Sequence, residues 1–118
     1  MSRFFRLRVS SKLAEAFEKE LRKPGYGPRK KALWIGEALV KLDKDDPNLQ
    51  RVGLGDEIDA PREHSIGVSL TRESFQLLES MALRVREATP LIEGVRAQVI
   101  RTAIRHRVRD AAKHFSSP

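Results

Sequence analysis

The stretch Phe4-Phe5-Arg6-Leu7-Arg8-Val9-Ser10 decides the fold of this chain. Apolar and polar side chains alternate along it, which is typical of a β-strand with one face in a hydrophobic core. The expected inward-facing residues are Phe5, Leu7 and Val9. The opposite face carries Phe4, Arg6 and Arg8. Ser10 follows as a natural N-cap, because its side-chain oxygen can accept a hydrogen bond from a backbone N–H of the next helical turn.

Two amphipathic helices are predicted to follow this strand. The first has an apolar stripe at helical spacing, formed by Leu13, Phe17 and Leu21. The segment Pro24-Gly25-Tyr26-Gly27 ends it, and Gly27-Pro28 opens the second helix, since proline suits the first helical position. The apolar face of the second helix consists of Leu33, Ile35, Ala38, Leu39 and Leu42. Trp34, the only tryptophan, lies among these residues and is expected to pack in the core.

The same order recurs further along the chain. Ser65-Ile66-Gly67-Val68-Ser69-Leu70 alternates again, and Thr71 is the expected N-cap of a third helix. The apolar residues of that helix are Phe75, Leu78, Ala82 and Val85. Thr89-Pro90 is expected to open a fourth helix. Its apolar residues are Ile100, Ala103, Ile104, Val108 and Ala111. The pattern strand-helix-helix therefore repeats, with a period of about 60 residues.

The charge distribution supports a division into three parts. Residues 1–42 carry 11 basic and 4 acidic side chains, and residues 64–118 carry 9 and 5. Between them, residues 43–63 carry 3 basic and 7 acidic side chains and are rich in Asp, Gly and Pro. We therefore predict a first repeat over residues 1–42, an acidic linker over 43–63 and a second repeat over 64–118. The net charge of +7 favours a polyanionic partner, although a basic surface is also common in proteins without one.

Each short strand needs a partner, because a single strand can neither pair its backbone nor bury its apolar face. The predicted fold is mainly α, with a short two-stranded antiparallel β-ribbon whose inner face is covered by four helices. The two strands of one chain can pair to form an intrachain pseudo-dimer, and a swapped homodimer of two chains satisfies the pattern equally well. In either arrangement the outer face of the ribbon is exposed, and a two-stranded ribbon fits the major groove of B-DNA.

This combination of an alternating strand, a Ser or Thr cap, a helix, a Gly-containing turn and a helix with the core Ile35-Gly36-Glu37-Ala38-Leu39 resembles the ribbon-helix-helix superfamily. The two-copy form is similar to relaxosome accessory proteins of conjugative plasmids. The resemblance implies base contacts from the outer strand residues Phe4, Arg6, Arg8, Ser65, Gly67 and Ser69. It implies phosphate contacts from residues near the start of each repeat's second helix, namely Gly27, Arg29, Lys30, Lys31 and Arg96.

Arg6 and Arg8 are the strongest candidates within this set. They lie two residues apart on a strand, so both side chains point to the same face. Arginine donates two hydrogen bonds to guanine O6 and N7, which discriminates against other bases by about 1–3 kcal/mol. Phe4 has two open interpretations, contact with a thymine methyl group or packing back onto the core. The arginines 101, 105 and 109 recur every four residues and are expected to form a solvated helix face.

The expected function is sequence-specific binding of double-stranded DNA, either in plasmid or mobile-element transfer beside a relaxase or in transcriptional regulation. The alternative is a helical protein-interaction adaptor whose basic faces bind an acidic partner. We predict no enzymatic activity, because no Ser-His-Asp, Walker or paired-carboxylate motif is present. No cofactor or metal site is expected, since cysteine is absent and the histidines have no ligand spacing and are expected on the surface. Without an apolar segment of about 18–20 residues, a cytoplasmic protein that does not enter membranes is expected.

Overall fold

Two strands and four helices make up the described part of this computed structural model, which covers residues 3–23, 30–52 and 61–116. The elements in chain order are β1 (Arg3–Val9), α1 (Ser11–Leu21), α2 (Lys30–Asp45), β2 (His64–Leu70), α3 (Arg72–Ala88) and α4 (Val95–Ser116). The order strand-helix-helix thus occurs twice. The predicted class, mainly helical with a two-stranded antiparallel sheet, is confirmed.

The two strands pair antiparallel, with Arg6 opposite Gly67 at the centre of the ribbon. Their inner faces are buried as the alternation predicts. Leu7, Val9, Ile66, Val68 and Leu70 are all buried. Phe5 is partly buried and stacks on Phe75 of α3, with the ring centroids 6.2 Å apart. The alternation alone therefore places both strands in the right orientation relative to the core.

Both predicted N-caps are confirmed. The Ser10 Oγ accepts a hydrogen bond from the backbone N–H of Leu13 at 3.2 Å, at the start of α1. The Thr71 Oγ1 accepts one from the N–H of Ser74 at 3.1 Å, at the start of α3. Each cap satisfies a first-turn N–H that has no partner inside the helix, and each comes directly after a strand. These caps turn the chain sharply from ribbon to helix.

The core lies between the ribbon and the helices. The aligned segments 35–39 of α2 and 100–104 of α4 have the same burial pattern, since Ile35, Ala38 and Leu39 are fully buried and so are their counterparts. Those counterparts are Ile100, Ala103 and Ile104. Trp34 is also buried, as predicted, and packs edge-on against Phe17 of α1 with the ring centroids 5.0 Å apart.

Four expectations about the helices need correction. Thr89-Pro90 does not open the fourth helix, because the N–H of Thr89 still donates to Val85 O at 2.7 Å and closes α3. The chain turns through the next residues and α4 begins at Val95, after Gly94 with a φ of +57°. Leu33 is 47% exposed rather than buried. Arg101 and His106 lie much deeper than a surface interpretation predicts.

Several described residues of the predicted linker have a defined place in the fold. Helix α2 runs three residues into it, to Asp45. Leu49 is buried and adopts a left-handed conformation with a φ of +52°. The Asp46 carboxylate accepts hydrogen bonds from the backbone N–H groups of the residues that follow, Gln50 and Arg51. Residues 53–60, with Leu54 and Ile58, lie outside the described residues, as do the predicted turn at 24–27 and Pro28.

A network of charged groups ties the end of α2 to α4. The Lys41 ammonium contacts the carboxylates of Asp45 and Asp110 at 3.2 and 3.1 Å. The His106 ring is 2.8 Å from the Asp45 carboxylate through Nε2, and Arg51 donates to its Nδ1 at 3.0 Å. Two hydrogen bonds lower the pKa of Asp45 below its usual 3.8. The larger effect comes from His106 and the smaller from Lys41. The ionised form of Asp45 is therefore favoured by folding.

Replacing Asp45 by asparagine is expected to reduce stability at neutral pH and to have little effect in acid. A carboxyl group whose pKa is lower in the folded state stabilises the fold above its unfolded value, and this contribution is lost as the pH falls through the folded pKa. Urea unfolding of wild type and Asp45→Asn at about pH 7 and about pH 3 measures the difference, which should shrink below about pH 4. Glu87→Gln, at an exposed carboxylate on α3, is the control. A stability difference independent of pH would contradict this assignment.

Candidate nucleic-acid interface

Six side-chain positions form the outer face of the ribbon. These are the residues predicted to contact bases: Phe4, Arg6, Arg8, Ser65, Gly67 and Ser69. Cross-strand pairing places Phe4 opposite Ser69, Arg6 opposite Gly67, and Arg8 opposite Ser65. Five of the six are exposed and Gly67 is half-buried. The ribbon therefore brings the whole predicted set together on one solvent-facing surface, with aromatic and cationic groups on β1 and small groups on β2.

Arg6 is the cation at the centre of this face. Its guanidinium is exposed and has no hydrogen-bond or ion-pair partner among residues 3–23, 30–52 and 61–116. Directly across from it, Gly67 has no side chain to shield or orient it. An unpaired guanidinium keeps all of its planar N–H donors available for an external acceptor. Of the six outer-face residues, Arg6 is thus the one best prepared to bind an anion or a base edge.

Arg8 differs from Arg6 because its guanidinium already has an acceptor. Its Nε and Nη2 donate to the backbone carbonyl of Arg62 at 3.1 and 2.7 Å. The carbonyl of Arg8 in turn accepts a hydrogen bond from Arg101 Nη1 at 3.1 Å. These contacts fasten the chain that enters β2 to β1 and to α4. Two of the five N–H donors of Arg8 are therefore already engaged, which leaves it fewer donors for a ligand than Arg6 has.

Arg101 corrects the expectation of a uniformly solvated arginine stripe on the last helix. It is only 7% exposed, whereas Arg105 is half-buried and Arg109 is exposed. A buried arginine is tolerated when its donors are satisfied, and one of them is satisfied by the Arg8 carbonyl. Regular four-residue spacing places these arginines on the same side of a helix but does not tell which of them lies under the ribbon. No pattern in the sequence predicts the hydrogen bond from Arg101 to the Arg8 carbonyl.

Phe4 remains on the outer face and does not fold back onto the core. Its side chain is 63% exposed. The edge of its ring lies over Gly67, such that a Cβ atom at position 67 would lie 3.1 Å from Phe4 Cε2. Such a distance is shorter than nearly all real Cβ contacts, so the glycine makes room for the ring. The choice of glycine in β2 thus has a packing reason that the alternation pattern could not reveal.

The ribbon ends at residues His64 and Val9 with a further polar contact. His64 Nε2 lies 3.0 Å from Ser11 Oγ in the first turn of α1. On the outer face next to it, Ser65 is exposed, and Ser69 is exposed near the opposite end. Their hydroxyl groups can both donate and accept hydrogen bonds. The β2 half of the outer face is therefore polar but uncharged.

The predicted phosphate-contact residues fall into three groups. Gly27 and Arg29 lie outside the described residues. Lys30 and Lys31 are exposed in the first turn of α2, where cations oppose the helix dipole unless an anion is bound nearby. Arg96 is in a different situation, because it forms a two-bond ion pair with Glu79 of α3. The two lysines are thus available to bind an external anion, whereas Arg96 is already paired with the Glu79 carboxylate.

The Arg96–Glu79 ion pair joins α4 to α3. The Nη2 of Arg96 donates to Glu79 Oε2 at 2.9 Å, and its Nε donates to Oε1. These hydrogen bonds raise the pKa of Arg96. A phosphate would have to compete with a carboxylate that already matches the fork of the guanidinium. Glu79 lies 17 residues before Arg96, so no local spacing rule could have predicted the pair.

Other classes of site are not seen in the part of the chain that the structure describes. No three His, Asp or Glu side chains there are grouped as metal ligands would be. Within the same residues, no helix combines the length and apolar character needed to cross a membrane. No protein-family model, curated protein or solved structure matches the chain. The outer face of the ribbon is therefore the candidate functional site.

Proposed function

We propose that this protein binds double-stranded DNA sequence-specifically by inserting the outer face of its ribbon into the major groove. The observation that carries the proposal is the exposed Arg6, which has no partner among the described residues, at the centre of a ribbon whose other face is buried. The major groove admits a two-stranded β-ribbon, and its base edges present the acceptors that an arginine recognises. The inner face cannot serve this purpose, because it forms the core.

We further propose that the chain is a tandem ribbon-helix-helix protein in which the two repeats act as a pseudo-dimer. Support comes from the repeated element order, the pairing of β1 with β2 and the equivalent burial of segments 35–39 and 100–104. A homodimer with exchanged strands would present the same ribbon. Light scattering of the protein distinguishes the two, since the pseudo-dimer contains one chain and the exchanged dimer contains two.

Electrostatics support the proposal beyond the ribbon. The chain has a net charge of +7, and the exposed Lys30 and Lys31 mark the start of α2. Phosphate contacts release counterions, so the logarithm of the binding constant should fall with the logarithm of salt concentration by about 0.9 for each phosphate neutralised. These contacts position a protein on DNA, whereas base contacts on the outer face would give the specificity.

Because the two strands are unlike, the preferred DNA site is expected to be asymmetric. Arg6 and Arg8 come from β1, and their cross-strand counterparts are Gly67 and Ser65. Selection from random double-stranded DNA, followed by a gel shift with salt titration, is the test. We expect a non-palindromic site with guanines concentrated in one half. Perfect inverted repeats would contradict recognition by two unequal strands, and failure to bind any DNA in a salt-dependent way would overturn DNA binding itself.

The biological role we propose within DNA binding is either an accessory function in plasmid or mobile-element transfer, beside a relaxase, or transcriptional regulation or partition. An asymmetric site suits the first role, because it distinguishes the two DNA strands for a nicking partner. Regulation needs only a site near a promoter. The genes that neighbour the coding sequence separate these roles.

A helical adaptor for an acidic protein is the second candidate, and one surface favours it. Leu33 and Val40 are 47% and 58% exposed on α2. They line a shallow groove with Gly36 and Thr71, and its charged lining consists of Lys41, Lys44, Glu37 and Asp45. An adaptor of this kind would retain its activity when both arginines of the outer face are replaced by alanine.

A further inference from the structure

Phe4 is an exposed aromatic ring on a surface otherwise formed by cations and small groups. It is 63% exposed, although a phenylalanine gains free energy by leaving water. It belongs to β1, two residues before Arg6, and its side chain lies on the same face. Contact with an apolar group of a ligand would remove the exposed ring from water.

Gly67 allows the ring to lie where it does, because it has no side chain to fill that space. Phe4 lies directly opposite Ser69, but its ring leans diagonally across the ribbon toward Gly67. A Cβ atom at position 67 would be 3.1 Å from Phe4 Cε2 and 3.2 Å from Cζ. A Cβ atom at this position would therefore require the ring to shift by a few tenths of an ångström. Gly67 faces Arg6 as well, so the ring and the guanidinium border the same small area.

We propose that Phe4, seated over Gly67, is a specificity-determining residue that contacts the C5-methyl group of a pyrimidine, as carried by thymine or 5-methylcytosine. This inference rests on the proposed function. In the major groove, base edges present hydrogen-bond donors, acceptors and the thymine methyl group, and only the methyl group is apolar. A phenyl ring has no hydrogen-bonding group, so among these features it gains most from the methyl group.

The spacing along β1 suits contacts to neighbouring base pairs. Two residues of an antiparallel strand span about 7 Å. Two base-pair steps of B-DNA span about the same distance, since each strand advances by about 3.4 Å per nucleotide. The methyl group that Phe4 contacts is therefore expected within about two base pairs of the guanine that Arg6 contacts.

The test uses the full chain and the duplex selected from random DNA. Each thymine of the site is replaced in turn by deoxyuridine, which removes only the methyl group. Each cytosine is replaced in a second series by 5-methylcytosine, which adds one. If the contacted base is thymine, the affinity of wild type is expected to fall about fourfold when that thymine is replaced by deoxyuridine. If it is cytosine, the affinity is expected to rise about fourfold when that cytosine is methylated. Both values correspond to the burial of one methyl group.

Three variants assign this effect to the ring. Phe4→Ala is expected to remove the methyl effect, so that the two duplexes bind equally. Gly67→Ala is expected to reduce it, because the added Cβ displaces the ring. Leu83→Ala, at a comparably exposed apolar residue on α3, is the control and should leave the effect unchanged. Thermal unfolding of each variant verifies that it is folded.

The outcomes separate this inference from the function on which it rests. If neither substitution series changes the affinity of wild type while Arg6→Ala still abolishes specific binding, the methyl contact is overturned and the DNA-binding function stands. A methyl effect that persists in Phe4→Ala also overturns it. Failure of wild type to bind the selected duplex at all would overturn the proposed function first. A methyl effect present in wild type and absent in Phe4→Ala supports the proposal.

Discussion

Replacing Arg6 by alanine is expected to lower the affinity for the selected DNA site by about ten- to a hundredfold, the loss typical of one bidentate contact to guanine. Affinity for unrelated DNA should change by only a few fold, because one cation among many is removed. Stability should be unchanged, since Arg6 is exposed and supports no core residue. Fluorescence anisotropy with labelled specific and unrelated duplexes at equal salt measures both affinities.

Two further variants test whether the loss of affinity is specific to Arg6. Arg86→Ala removes another exposed arginine from the last turn of α3, about 21 Å along the helix from Arg72, its first residue. It should leave the ratio of specific to unrelated affinity unchanged. Arg8→Ala is expected to reduce this ratio less than Arg6→Ala does, because two donors of the Arg8 guanidinium are already bound to the Arg62 carbonyl. Equal ratios for wild type and Arg6→Ala would contradict the role of Arg6.

Replacing Trp34 by alanine is expected to reduce the free energy of unfolding by about 3–5 kcal/mol, as for other large aromatic residues removed from a core. The side chain is 1% exposed and packs against Phe17. The Arg107 guanidinium lies 4.5 Å from the ring centroid and also donates to the Trp34 carbonyl at 2.7 Å. A small domain has a total stability of only about 5–15 kcal/mol, so this variant should be close to unfolding.

Urea unfolding followed by far-ultraviolet circular dichroism measures this loss, because the variant has no tryptophan fluorescence to follow. Leu83→Ala provides the comparison, since Leu83 is 57% exposed. That substitution should change stability by no more than about 0.5 kcal/mol, as is usual on a surface. A denaturation midpoint for Trp34→Ala close to that of wild type would show that Trp34 is not a core residue.

Much of the fold follows from local signals in the sequence. Alternation identified the buried faces of both strands, and the hydroxyl residues Ser10 and Thr71 identified the starts of α1 and α3. The stripe of α1 is buried throughout, at Leu13, Phe17 and Leu21. These predictions succeed because a strand or helix that faces one core must repeat its apolar residues at its own period.

The remaining features depend on contacts between distant parts of the chain. Thr89-Pro90 has the local appearance of a helix start, but the preceding helix extends far enough to use Thr89 as its end. Leu33 shares the apolar face of α2 by spacing, yet the neighbouring helices do not cover it. Local patterns report which residues can be buried, whereas the arrangement of helices decides which of them are.

The same limit applies to the candidate interface. The sequence predicts which residues share the outer face, and the structure brings all six together. The sequence does not predict that Arg8 donates to the Arg62 carbonyl or that Arg96 pairs with Glu79. Nor does it predict that the Phe4 ring lies over Gly67. Each of these contacts joins residues at least 17 positions apart. They make the outer-face residues unequal, and Arg6 emerges as the one whose guanidinium is ready for a ligand.

The central claim is that the outer face of the ribbon recognises DNA, and one comparison tests it most directly. Binding of wild type and of the double variant Arg6→Ala with Arg8→Ala is measured on the selected duplex over a range of salt concentrations. We predict that wild type binds tightly with a strong salt dependence, and that the folded double variant binds the selected and unrelated duplexes equally weakly. Retention of wild-type preference by the double variant would contradict the account.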